Sequence, residues 1–243
     1  MNCLKTSVIL LLCFFLLTCG IDEYYYLPQV SEGGIIRQFN TKADISIPSN
    51  LINQIYYATG YVIYYKIYTS NEDNENYDIL RTYPRISTDY NGLYSYTDPS
   101  NATSLPSLTT FSGRGFYELE LEGINIGTVL STNGGAFSIN FEQRPGTEPF
   151  IVYNGNKYNI LRSNGEGKFN PKPGDRYFFS SDDLKDYANA NSTINADVSG
   201  QSGITQNAFA SMYIVAVGTN PKNFTKLYGK PTHISIFKLP PPN

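Results

Sequence analysis

The chain has 243 residues, with 18 Lys and Arg against 21 Asp and Glu, one His, three Cys, no Trp and 21 Tyr. A net charge of −3 and a pI near 5.2 exclude a polyanion gripped by clustered cations, so nucleic acid is set aside as a partner. With 41% hydrophobic and 16% charged residues, the composition is neither disordered nor coiled-coil, and the length supports a core that needs no disulfide or metal framework.

The three cysteines, Cys3, Cys13 and Cys19, all fall in the first nineteen positions. Around them, Lys5 precedes the apolar run Val8 to Leu17, and Thr18-Cys19-Gly20 follows, which is the layout of a secretory signal. As a helix that run reaches only about 15 Å, half of the ~30 Å hydrocarbon core, so a processed segment is expected rather than a membrane span. Leu16-Leu17-Thr18-Cys19 resembles the bacterial lipobox. The resemblance implies removal of residues 1–18, diacylglyceration of the Cys19 thiol and a lipidated tether over 19–32. Leu17 and Thr18 are larger than the usual Ala, Ser and Gly, as in the relaxed signals of spirochaete lipoproteins. The following run Gly20-Ile-Asp-Glu-Tyr-Tyr-Tyr-Leu-Pro28 is similar to the start of treponeme-type members of that group. The implied location is the bacterial cell envelope, on the outer membrane, either periplasmic or surface-exposed, with the membrane as partner through Cys19. Two or three acyl chains anchor durably where one is marginal. An ordinary signal peptide with Cys19 as a bystander stays open. With no Cys after position 19, thiol nucleophiles, Cys-rich zinc sites and thiol redox chemistry are excluded from the remaining chain.

Gly20 to Pro28 reads either as a tether with an aromatic patch or as an N-terminal edge strand. From Ile35 onward a period of two, broken by turn residues, predicts strands. Gly60 to Tyr68 is apolar on both faces and rich in β-branched and aromatic residues, so a central strand is expected. Asn71 to Asn76 and Thr97 to Thr110 read as exposed loops. In Phe116 to Glu122, Tyr117, Leu119 and Leu121 alternate with Glu118, Glu120 and Glu122, which predicts one half-buried strand; Phe137, Ile139 and Phe141 alternate likewise with Ser138, Asn140 and Glu142. Hairpin turns are expected at Asn91-Gly92, Asn133-Gly134-Gly135, Asn154-Gly155 and Asn164-Gly165, most securely at Asn154-Gly155 between Phe150–Tyr153 and Lys157–Ile160. Ser181 to Ala190 is the one predicted helix, capped by Ser181. Ser211 to Gly218 repeats the central-strand character, and His233 to Leu239 supplies a last strand before Pro240-Pro241-Pro242.

Tyr61-x-Ile63-x-Tyr65 and Tyr213-x-Val215-x-Val217, with Asn220 after the second, resemble the third and sixth strands of a fibronectin type III domain. That family implies an antiparallel sandwich of the immunoglobulin-like kind. The family's buried Trp has no counterpart, and Tyr65 and Tyr213 stand 148 positions apart. The expectation is therefore all-β: an immunoglobulin-like sandwich from residues 33–112 and 206–240, with 113–205 as an inserted β-rich region. Two consecutive sandwiches are the alternative.

For chemistry, His233 has no second His or later Cys to complete a triad or a zinc site. Paired carboxylates suffice for a glycosidase, and Glu118, Glu120, Glu122 and Asp175 are the candidates; a solvated strand face explains the alternation more simply. Asn71 to Asn76 and Ser181-Asp182-Asp183 lack the spaced acidic order of a calcium loop. Gly113-Arg114-Gly115 has no strand-loop-helix context for phosphate. Tyrosine offers amphipathic contact surface, though most of the tyrosines sit in strand patterns. The expected function is a non-enzymatic, lipid-anchored envelope protein whose β-sandwich serves binding or surface display, without cofactor or metal, its catalytic residues none and its protein or glycan ligand unknown. A carbohydrate-binding or glycan-active lipoprotein and a structural periplasmic lipoprotein are the alternatives.

Overall fold

Two long strands organise the protein. The computed structural model describes Tyr25, residues 27–38, 40–51, 54–70, 116–124, 126–130, 134–144 and 147–162, Phe179, and residues 198–199 and 207–240. The fold is all-β, two antiparallel sheets packed as a sandwich rather than a closed barrel. The first sheet runs β1 (Ile35–Gln38), β2 (Lys42–Ile47), β6 (Gly135–Asn140), β7 (Phe150–Tyr153), β8 (Asn156–Leu161), β5 (Glu120–Leu121). The second is built on β3 (Ala58–Ser70) and β10 (Asn207–Thr219), with β11 (Lys226–Tyr228) and β12 (Thr232–Lys238) along β10 and β4 (Tyr117–Glu118) along β3. A short β9 (Val198–Ser199) joins β3 in parallel.

β3 and β10 pair along nearly their whole length, from Asn207 opposite Ser70 to Gly218 opposite Ala58. Their sequences are apolar on both faces because both faces are buried. Tyr61, Ile63, Tyr65 and Ile67 of β3, with Ala210, Met212 and Ile214 of β10, meet Ile45, Phe137, Ile139 and Ile151 of the first sheet in the main core. Val62 and Tyr64, pointing the other way, form a second cluster with Phe116, Tyr213, Val215 and Tyr228. The predicted strands at 60–68, 211–218 and 233–239 are thus all present, as is the inward alternation of Phe137, Ile139 and Phe141.

The Asn154-Gly155 hairpin forms as expected. Both residues have positive φ, 49° and 77°, which matches the type I′ turn and its twist. Gly134 and Gly135 instead open β6, and a Cβ on Gly134 would meet the Ile47 carbonyl oxygen at 2.7 Å, so glycine there permits a close backbone approach. The segment 116–122 is not one strand but two. β4 belongs to the second sheet and β5 to the first, and the chain changes sheet at the buried Leu119, whose N–H donates to the Ile63 carbonyl at 2.8 Å. Alternation survives the change, which is why it reads in sequence as one strand. One helical turn, α1 (Ile126–Val129), has no counterpart among the expected elements; at a single turn it is too short for a 3.6-residue period to be legible. Leu27 to Val30 form no strand. Leu27 and Val30 are in the main core, and the Thr232 hydroxyl donates to the Val30 carbonyl at 2.6 Å.

Strands from 113–205, expected as an inserted region, hydrogen-bond into both sheets: β6 pairs with β2 from Lys42–Asn140 to Ile47–Gly135, and β4 with β3. A register shift between Met212 and Tyr213 leaves Ile234 without an opposite residue on β10. The Arg37 guanidinium on β1 donates to the carbonyls of Ile234 and His233, both at 2.7 Å, tying the first sheet to this bulge. At the C-terminal end of β12, Lys238 N–H donates to the Asn40 carbonyl at 2.9 Å and Gln143 to the Lys238 carbonyl at 2.7 Å. Residues 1–18 with Cys19, the expected loops at 71–76 and 97–110, Asn91-Gly92, Asn164-Gly165, Asp175 and the expected helix at 181–190 lie outside the described residues.

Candidate functional site

The outer face of the second sheet carries one polar rung across four strands. Antiparallel register aligns Glu118 of β4 with Tyr64 of β3, Tyr64 with Tyr213 of β10, and Tyr213 with His233 of β12. Side chains directly opposite on one face are close enough to interact. At the β12 end, the His233 ring lies 5.0 Å from the Tyr213 ring, and its Nε2 is 3.5 Å from the Ser211 hydroxyl. His233 is only 2% exposed and Ser211 fully buried. Tyr213 also takes Phe116 edge-on at 5.4 Å. One rung along, Lys66 of β3 is buried, its ammonium 5.5 Å from the Phe116 and Tyr68 ring centroids. This half of the rung is closely packed, and both Ser211 and His233 are buried in it.

The β4 end is different. Glu118 is half-buried beside Tyr64, Tyr228 and the exposed Lys226. The Tyr64 and Tyr228 rings are 6.5 Å apart. Burial, then the neighbouring Tyr228 and Glu118, pushes the Tyr64 phenol far above its ordinary value, so it stays neutral and keeps its proton. Burial likewise pushes Tyr228 up. In the main core, burial pushes the Tyr61 phenol up to about 12. Burial also raises Glu118 above the usual carboxylate range, with Glu120 adding to the shift and Lys226 opposing it. The three acids that look equivalent in sequence therefore sit in three environments: Glu118 half-buried among phenols, Glu120 exposed, and Glu122 accepting from the Asn159 amide at 2.9 Å. Alternation could not separate them, because the sheet change at Leu119 does so.

The raised Glu118 value has a signed consequence. Folded protein binds this proton more tightly than the unfolded chain, so the group's contribution to stability is full below the ordinary carboxylate range and is lost as pH rises through the folded value. Glu118→Gln is expected to melt above the parent at neutral pH and with it at acidic pH. Thermal melts across that range check this, and a constant offset at every pH would contradict it.

Among the described residues no group of three or more His, Cys, Asp or Glu is placed to hold a metal ion. No helix there is long and apolar enough to cross a membrane. The chain matches no family model, no curated protein and no solved structure. The class defined by fold and site is thus a two-sheet β protein with a buried polar rung.

Proposed function

We propose that this chain is a lipid-anchored cell-envelope protein, held at a bacterial outer membrane through Cys19, whose β-sandwich serves non-catalytic binding or display. The observation that carries the reading is the placement of all three cysteines in the first nineteen residues, ahead of a cysteine-free sandwich into which the chain is packed by Leu27. That arrangement suits an acylated N-terminus that leaves little slack before the folded body. Burial of Ser211 and His233, the groups best suited to nucleophilic chemistry, favours a non-catalytic role. The sandwich is read as fibronectin type III-like, with β3 and β10 as its third- and sixth-strand equivalents. Spirochaete origin rests on the relaxed lipobox.

Cys19→Ala is expected to abolish incorporation of labelled palmitate and to move the protein from the membrane to the soluble fraction. Retention of label would overturn the anchor.

One observation favours a second reading, a carbohydrate-binding or glycan-active lipoprotein. Glu118, a carboxyl held up by burial beside Tyr64 and Tyr228, has the kind of environment that general acids use. Glycan binding lost in Glu118→Gln would support that reading over the first.

A further inference from the structure

Three large apolar side chains are exposed among the described residues, and two of them stand near the place where the N-terminus enters the fold. Tyr56 is 78% exposed in the loop before β3, and Phe224 is 81% exposed in the turn between β10 and β11. The loop and the turn meet: Thr219 N–H donates to the Tyr57 carbonyl at 2.8 Å. Tyr57 meets both Tyr56 and Tyr25 edge-on, each at 5.2 Å. The Lys222 ammonium, two residues from Phe224, lies 5.9 Å from the Tyr25 ring centroid. Tyr57 and Lys222 therefore contact Tyr25, with the exposed Tyr56 and Phe224 one and two residues along from them.

The turn holds Phe224 against ordinary preference. Its φ is +58°, a left-handed conformation that is unfavourable for a residue with a bulky side chain. Two backbone bonds of 2.8 Å, from Phe224 N–H to the Asn220 carbonyl and from Asn220 N–H to the Thr225 carbonyl, impose it. The Asn220 and Asn223 side chains brace it by accepting from the N–H groups of Lys222 and Thr225 at 2.9 and 3.1 Å. Backbone strain that displays an aromatic to solvent points to a contact made by that side chain.

We propose that this end of the sandwich is a membrane-contacting face, with Tyr56 and Phe224 entering the boundary between headgroups and acyl chains and Lys222 meeting the headgroup layer. The occupant follows from where the described chain starts. Tyr25 stands six residues after Cys19, and six residues span at most about 20 Å. A lipid on Cys19 thus keeps the aromatic end within about 20 Å of the bilayer, where Tyr and Phe partition into the interface and Lys extends its charge toward the headgroups. The inference rests on lipidation of Cys19. It adds an orientation: the Asn40 and Lys238 end, at the far ends of β2 and β12, points away from the membrane.

The chain contains no Trp, so a single introduced indole reports its surroundings alone. Full-length protein extracted from the producing membranes, carrying Phe224→Trp, Tyr56→Trp or, at the opposite end, Glu142→Trp, would be reconstituted into vesicles of dibrominated phosphatidylcholine with phosphatidylglycerol. We expect all three variants to float with the vesicles, with fluorescence at 224 or 56 quenched at least twofold relative to unbrominated vesicles and fluorescence at 142 unchanged. Flotation without quenching at either 224 or 56, or equal quenching at all three, would overturn the membrane-contacting face and leave the anchor standing. Failure to float would overturn both.

Discussion

Phe141→Ala is expected to destabilise the fold by about 3–5 kcal/mol, the range for truncating a fully buried Phe. Phe141 follows β6 in the first sheet and is fully buried. Its ring stacks on Phe237 of β12, 4.7 Å between centroids and 15° from parallel. It also meets the edge of Phe179 at 5.6 Å, and Phe179 in turn meets Tyr65 of β3 at 4.8 Å. One ring thus connects strands of both sheets, and its loss leaves a cavity lined by stiff aromatics that cannot collapse to fill it. For a protein of this size the loss corresponds to a fall of roughly 6–20 °C in melting midpoint. Denaturant unfolding measures it directly. A cost under 1 kcal/mol would mean that the aromatic chain does not hold the sheets together.

Deleting residues 113–205 is expected to destroy the fold. β2 would lose β6 along Lys42–Ile47, leaving that edge of the sheet unpaired and its buried Ala43, Ile45 and Ile47 uncovered. The main core would lose Leu119, Leu121, Phe137, Ile139, Ile151 and Ile160 among others. At about 1.5–3 kcal/mol for each buried side chain, those six alone contribute on the order of 10 kcal/mol, comparable to the whole ~5–15 kcal/mol stability of a domain. The remnant should aggregate or show no cooperative melt. A β-rich circular dichroism spectrum with a sharp transition would show instead that residues 33–112 and 206–240 are a domain in their own right.

The sequence was most legible where the determinants are local. The hairpin at Asn154-Gly155 follows from two residues that accept positive φ. The burial of β3 and β10 on both faces follows from unbroken apolar runs, just as the one-sided burial of Phe137 and Ile139 follows from alternation. The candidate site was less legible. Glu118 was picked out only as one of several alternating acids; nothing in its neighbourhood marks it as the one beside Tyr64 and Tyr228, which are 54 and 110 positions away in the chain. His233 was visible as the sole histidine, and the absence of partners was readable too, but its burial against Tyr213 was not.

The sequence by itself determined that the protein is built of strands, where most of them lie, and that every thiol is confined to the N-terminal segment. These depend on side-chain period, turn chemistry and composition, which neighbouring residues settle among themselves. Only the tertiary structure decided that β6 completes the sheet begun by β2, that the chain passes from one sheet to the other at Leu119, that a bulge at Ile234 receives Arg37, and that Tyr25, Tyr56 and Phe224 share one end. A strand's alternation states which residues face inward, but not which strand lies alongside. That choice depends on how two whole sheets fill one core, a property of contacts between segments far apart in the chain.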